Sequence, residues 1–218
     1  MKVLKETDLS KELQSLKGTI DPENAITYVP RWPLIMFLAT AICCFSFSTV
    51  FHIYQAHSFK AWSTLLKLDY GGICLLIMGS YYPVSNYVFA CQEVSFLKYF
   101  FLALNTICCL ASFIFMMVDK YSTPEWKWLR GLLFIILGTS GAVPFLYLQF
   151  ASDHGYFSAY SVQPWALGGA IYIVGAFMQV NNWPEKKYPK KFDIIGSSHQ
   201  IFHVCVVIAC AIHFEASF

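Results

Sequence analysis

Two histidines, His199 and His203, stand four residues apart where the last long apolar run of the chain begins. In a helix this spacing puts both imidazoles on one face, a turn apart, as two ligands of a single metal ion require. A third imidazole, His52, closes the first apolar run, and a carboxylate, Asp69, opens the second. Ionisable groups at membrane depth are costly, so each is a candidate for chemistry. Three imidazoles and a carboxylate at one depth form a set suited to zinc, and three protein ligands with an open fourth position are the arrangement of a catalytic zinc. Copper, iron and nickel also accept nitrogen ligands, but a histidine pair with a third histidine favours a small tetrahedral ion. Haem is the chemical competitor. Its axial ligands come from opposite faces, so two histidines on one turn cannot both serve, and Asp69 would have no role.

Whether the four groups meet depends on the elements that carry them. The chain has 218 residues, 57% apolar and only 13% charged, with a mean hydropathy of +0.52. A soluble domain carries about 25% charged residues. Six runs of about the length needed to cross a bilayer cover residues 33–55, 69–90, 97–118, 129–150, 163–181 and 196–214. They are continuous rather than alternating, which excludes a β-barrel. The expected fold is an all-α, multi-pass membrane bundle with six spanning helices, preceded by a polar segment, 1–32, with at most a short helix near 10–16. All six tryptophans (Trp32, Trp62, Trp126, Trp128, Trp165, Trp183) fall at or just outside run ends, where an amphipathic ring prefers the interface.

Basic residues set the expected orientation. Lys60, Lys67, Lys120, Lys127, Arg130, Lys186, Lys187, Lys190 and Lys191 lie in connections after the first, third and fifth runs, against Lys98 alone on the other side. The positive-inside rule then makes the former connections cytoplasmic and puts segment 1–32 outside. His52, Asp69, His199 and His203 fall in one layer just inside the cytoplasmic face. A net charge of +2, with its cations in loops, leaves no footprint for nucleic acid. Segment 1–32 lacks the basic start and apolar core of a secretory signal.

Other polar residues have quieter readings. His57, His154 and His213 are expected to be interfacial or hydrogen-bonded, and Asp69 taken alone suits the first turn of a helix, where it complements the dipole. Ser48, four residues before His52, shares its face; its hydroxyl either holds a water or substrate oxygen near the metal or bonds the carbonyl one turn back. Ser197 and Ser198 read as caps of the last helix. Cys43, Cys44, Cys74, Cys108, Cys109, Cys205 and Cys210 lie within apolar runs as small hydrophobes, and Cys91 lies near an exterior loop. Pro83 and Pro144 read as tolerated kinks, and Gly138-Thr-Ser-Gly141 as a small-residue cluster for close helix packing.

These elements together resemble the progestin and adipoQ receptor family, near the adiponectin receptors and haemolysin-III-type proteins. The residues that carry the resemblance are Ser48-Thr-Val-Phe-His52, Lys67-Leu-Asp69-Tyr-Gly-Gly-Ile with Leu75-Leu-Ile-Met-Gly-Ser80, Gly141-Ala-Val-Pro144, and Pro189-Lys-Lys-Phe-Asp193 leading to Ser198-His-Gln-Ile-Phe-His203. It covers roughly 33–214. The resemblance implies seven helices and a zinc ion near the cytoplasmic face, bound by His52, His199 and His203. Asp69 is implied to reach the ion through its water or as a weaker ligand, and Ser48 to belong to a motif shared with alkaline ceramidases. Against that pattern the first family helix and its Glu-Thr-x-Asn motif are absent, so the chain is expected to be an N-terminally truncated or divergent six-helix form. The expected function is a zinc-dependent hydrolase of a ceramide-like lipid amide in the plasma membrane or an endomembrane. Asp69 would be its general base, Ser48 its helper, and a fatty acid one product. The alternative is a signalling receptor whose zinc is structural and whose exterior ligand, given short loops at 91–96 and 151–162, is a small lipid or sterol.

Overall fold

Ser58 Oγ accepts a hydrogen bond from Ala61 N at 3.1 Å, and from this cap the second helix runs through Val88. The structure, a computed structural model, describes residues 30–89, 95–151, 159–192 and 194–217. It contains α1 (Trp32–Tyr54), α2 (Phe59–Val88), α3 (Ser95–Met117), α4 (Lys127–Ser140), α5 (Val143–Ala151), α6 (Ala159–Asn181) and α7 (Ser198–Glu215). Short 3-10 turns at Asp119–Ser122 and Pro124–Trp126 join α3 to α4, and no strand occurs among the described residues. The expected short helix near 10–16, Cys91 and His154 lie outside the described residues.

Among the described residues five spans are long and apolar enough to cross a membrane: α1, α2, α3, α4 continued into α5, and α7. The sixth expected span is α6, which matches α1 in length at 23 residues but carries Gln163, Pro164 and Gln179. The outward faces are apolar, with Ile42 65%, Ile114 66% and Phe177 64% exposed. A surface so apolar belongs against hydrocarbon rather than water.

One expectation is corrected and another refined. The second helix begins ten residues before the expected Asp69, because its polar first turns, with Lys60 and Lys67, extend beyond the apolar run. Asp69 therefore stands in the helix interior and cannot serve as a first-turn dipole partner. The expected span 129–150 is found as one membrane-length stretch, Lys127–Tyr147, with its helix interrupted at Gly141-Ala142 just before the expected kink residue Pro144. Pro144 has no N–H to give and its ring excludes the carbonyl one turn back. Gly141 N and Ala142 N instead close the end of α4 on Gly138 O (3.3 Å) and Thr139 O (2.9 Å), and Leu146 N restarts the ladder on Ala142 O (3.0 Å). Pro83 stays inside α2.

Close packing comes from glycines other than the expected cluster. A Cβ on Gly79 of α2 would lie 1.7 Å from Thr40 Oγ1 of α1, and one on Gly175 of α6 would lie 2.7 Å from Cys205 Cβ of α7. A Cβ on Gly138 would meet nothing within 4 Å. These approaches bring α1, α2 and α7 around a core of Phe37, Ala41, Cys44, Leu76 and Val206. The same packing fixes the ends of α1 and α7 side by side. Cys43 and Cys108 are exposed on the apolar outer surface rather than buried, while Cys44, Cys74 and Cys109 are in the interior.

Candidate metal centre

His52 lies in the last turn of α1, and His199 and His203 in the first two turns of α7, as their sequence positions predict. Ser197 Oγ caps α7 by accepting from Gln200 N at 3.5 Å. Across the α1–α7 boundary the three Nε2 atoms converge. His52 Nε2 is 3.2 Å from His199 Nε2 and 3.4 Å from His203 Nε2, and the latter two are 3.2 Å apart.

This triangle suits a cation better than it suits mutual hydrogen bonding. A neutral imidazole nitrogen carries either a proton or a lone pair. Among three of them, at least one contact must therefore join two of the same kind. N–H hydrogen bonds are also commonly shorter, at about 2.9–3.0 Å. A tetrahedral ion with metal–nitrogen bonds of about 2.0–2.1 Å holds its ligand nitrogens about 3.3–3.4 Å apart, which the three distances match closely. The donor set thus fits a zinc-sized ion. His52 is exposed, while His199 and His203 are half-buried and border the interior.

On that side lies a cavity of about 80 Å³ lined by Ser48, Asp69, Tyr70, Lys127, Arg130, Gln179, His199 and His203. Asp69 is 6% and Ser48 7% exposed. Asp69 is close enough to Ser48, His203 and His52 to interact with each. Ser48 Oγ is buried yet lacks a partner within hydrogen-bond geometry, its contact with Asp69 included. The alternative in which Ser48 bonds the carbonyl one turn back is therefore not realised. A larger cavity of about 420 Å³, almost wholly apolar, shares Ile73, Phe134, Ala176, Phe202 and Val206 with the first.

Further residues of the site escape sequence reading. Gln179 of α6 meets His199 Nδ1 at 3.0 Å and Ser198 Oγ at 3.3 Å. Ser198, expected as a cap, instead donates its hydroxyl proton to Glu185 Oε1 and its backbone N–H to Glu185 Oε2 at 2.8 Å. As placed, Gln179 Nε2 faces His199 Nδ1 and Gln179 Oε1 faces Ser198 Oγ. A serine has one hydroxyl proton, here given to Glu185, so we assign the amide the other way round, with its nitrogen donating to Ser198 Oγ. Gln179 Oε1 then faces His199 Nδ1–H. That proton placement leaves the Nε2 lone pair of His199 free for the triangle. Arg130, expected as a loop cation, is buried in α4. It donates to Tyr121 O (2.6 Å), Thr123 O (2.7 Å) and Tyr70 Oη (3.3 Å). Lys127 donates to Asn182 Oδ1. Gln179 had a sequence signal, a polar side chain inside an apolar run. Glu185 and Arg130 had none, because loop-flanking charges are ordinary.

The other histidines are separate. His57 follows α1 and is exposed. His213 is buried near the far end of α7, where its Nε2 meets Trp165 O at 3.1 Å. It is hydrogen-bonded as expected, and Trp165 is buried beside it.

Comparison with known proteins agrees with the fold. The family model for haemolysin-III-related proteins matches residues 15–214. The rice heptahelical transmembrane protein ADIPOR3 is 35% identical over 214 residues, covering 97% of this chain and 52% of its own length. The adiponectin receptor protein of Drosophila melanogaster is 38% identical over 82% of this chain and 40% of its own length. The ADIPOR-like receptor IZH2 of Saccharomyces cerevisiae is 34% identical over 90% and 62%. The chain spans about half the length of the rice relative. With the match running through every helix described above, the chain is a multi-pass integral membrane protein of the adiponectin-receptor-like, haemolysin-III-related family.

Proposed function

We propose that this chain is a zinc-dependent hydrolase of a lipid amide such as ceramide, releasing a fatty acid. The observation that carries the reading is the Nε2 triangle beside a cavity holding Asp69 and Ser48, which adjoins a lipid-sized apolar cavity. His52, His199 and His203 would hold zinc, which when bound supplies a Lewis acid and a water of pKa near about 7.

The chain's own residues account for the remaining work. The Asp69 carboxylate takes a proton from the attacking water and passes it to the departing amide nitrogen. Its burial keeps competing water away and lowers the local dielectric. Ser48 Oγ, which lies beside Asp69 but makes no hydrogen bond of good geometry among the described residues, donates to the amide carbonyl oxygen as negative charge develops there. Lys127 and Arg130, which line the same cavity, give the product carboxylate a counter-charge. The apolar cavity beyond takes the acyl chain. The connections 55–58, 118–126 and 182–197 all lie at the histidine end, and Lys120, Lys186, Lys187, Lys190 and Lys191 within them support a cytoplasmic orientation for that end.

A second reading, a signalling receptor with structural zinc and an exterior ligand, draws on the relatives described as receptors. One experiment separates the two. The purified protein is assayed for zinc content and for fatty-acid release from ceramide, as wild type, Asp69→Ala and His203→Ala. The hydrolase reading expects turnover that is lost in both variants, with zinc retained in Asp69→Ala. Bound zinc without turnover on any lipid amide would leave the receptor reading.

A further inference from the structure

The apolar cavity is bordered, away from the histidine triad, by two residues whose buried polar atoms find no hydrogen-bond partner among the described residues. His213 is 8% exposed, and its Nδ1 is buried without a hydrogen-bond partner. The hydroxyl of Tyr172 is buried and unpartnered too; the Cys210 thiol lies near it but outside hydrogen-bond geometry. Both residues line the 420 Å³ cavity, with ring centroids 5.5 Å apart in an edge-to-face arrangement. Buried polar atoms without partners are uncommon, and each calls for a physical reason.

We propose that His213 and Tyr172 form a subsite for a lipid hydroxyl at the far end of this cavity. The donors and acceptors define the ligand chemistry. His213 Nε2 sits 3.1 Å from the Trp165 carbonyl, which can only accept, so Nε2 carries the proton and Nδ1 presents a lone pair. Nδ1 therefore requires a donor, while the Tyr172 hydroxyl can donate. A ligand hydroxyl does both, donating to Nδ1 and accepting from Tyr172. A ketone or carboxylate can only accept and would leave Nδ1 facing another lone pair. An ammonium can only donate and would leave the Tyr172 proton without an acceptor.

His213 follows His203 by ten residues on one helix, about 15 Å along its axis. An extended chain advances roughly 1.2 Å per bond, so a hydroxyl near the twelfth carbon of an acyl chain reaches His213 when its head lies at the triad. A long-chain alcohol entering hydroxyl-first satisfies the same pair from the other direction. The subsite deepens the lipid-hydrolase reading by naming a feature of the preferred lipid. It is read by binding alone, so either can fail without the other.

The test is competitive displacement of labelled stearate from the purified, zinc-stripped protein in detergent. The competitors are stearate, 12-hydroxystearate and octadecanol, against wild type, Tyr172→Phe and His213→Gln. Wild type should bind at least one hydroxyl-bearing competitor about tenfold more tightly than stearate, and which one it prefers distinguishes an in-chain from a terminal hydroxyl. Tyr172→Phe, which keeps the ring and its packing, should reduce that preference several-fold while stearate binding stays unchanged. Equal affinity of wild type for all three would overturn the proposal and assign the polar pair to a bridging water. So would a preference that survives in Tyr172→Phe.

Discussion

Replacing Gln179 with Met removes the group that orients His199 while nearly preserving side-chain volume. In the structure the Gln179 amide meets His199 Nδ1 at 3.0 Å and is itself held by Ser198, which Glu185 fixes in turn. Without Gln179, His199 is free to carry its proton on Nε2, which blocks the lone pair that the triangle needs. Loss of such an outer partner typically lowers metal affinity about 10–100-fold, or about 1.4–2.7 kcal/mol. The assay is zinc competition against a chromophoric chelator, with wild type, Gln179→Met, Ser198→Ala and Glu185→Gln compared at one pH. The expected order of loss follows distance from His199: largest for Gln179→Met, smaller for Ser198→Ala, smallest for Glu185→Gln. Wild-type affinity in Gln179→Met would refute the orienting role. An equal loss in all three would point to general loosening of the α6–α7 connection instead.

Further expectations follow from the same geometry. Burial alone would raise the Glu185 carboxyl, but hydrogen bonds from Ser198, helped by the nearby Lys127, hold it below the ordinary carboxylate value. A depressed carboxylate contributes stability above its unfolded value and loses it as pH falls through the folded one. Thermal stability should therefore drop on acidification below about pH 4.3, and the drop should be shallower in Glu185→Gln; identical acid limbs would contradict it. Gly79→Ala should destabilise by about 1–3 kcal/mol through overpacking, because its Cβ would lie 1.7 Å from Thr40 Oγ1. Gly138→Ala, with nothing within 4 Å of the new atom, should leave the melting temperature within about a degree or raise it slightly. Equal melting shifts in the two glycine variants would place the α1–α2 contact elsewhere.

The spans and the histidines were legible because lipid demands long apolar helices and makes intramembrane ionisable groups stand out. Run ends placed His52, His199 and His203 at one depth, and packing through Phe37, Leu76 and Val206 brings them into contact. Helix limits were less legible where a helix continues past its apolar run, as α2 does back to Phe59, so Asp69 sits ten residues from the helix start rather than at it. The break at Gly141 was legible only as a kink at Pro144, because apolar character continues through it. Supporting residues were least visible. Glu185 and Arg130 look like loop charges until the fold turns them onto Ser198 and Tyr70. The Tyr172–His213 pair depends on register between α6 and α7, which no local pattern encodes.

The central claim is that three imidazoles from two distant segments form one metal site. Metal analysis of the purified protein, with His52→Ala, His199→Ala and His203→Ala in parallel, tests it most directly. The account predicts one zinc per wild-type chain, and near-complete loss in each single variant at unchanged helix content. A wild-type protein without stoichiometric metal after growth in zinc, or a His52→Ala protein that keeps its zinc, would contradict it.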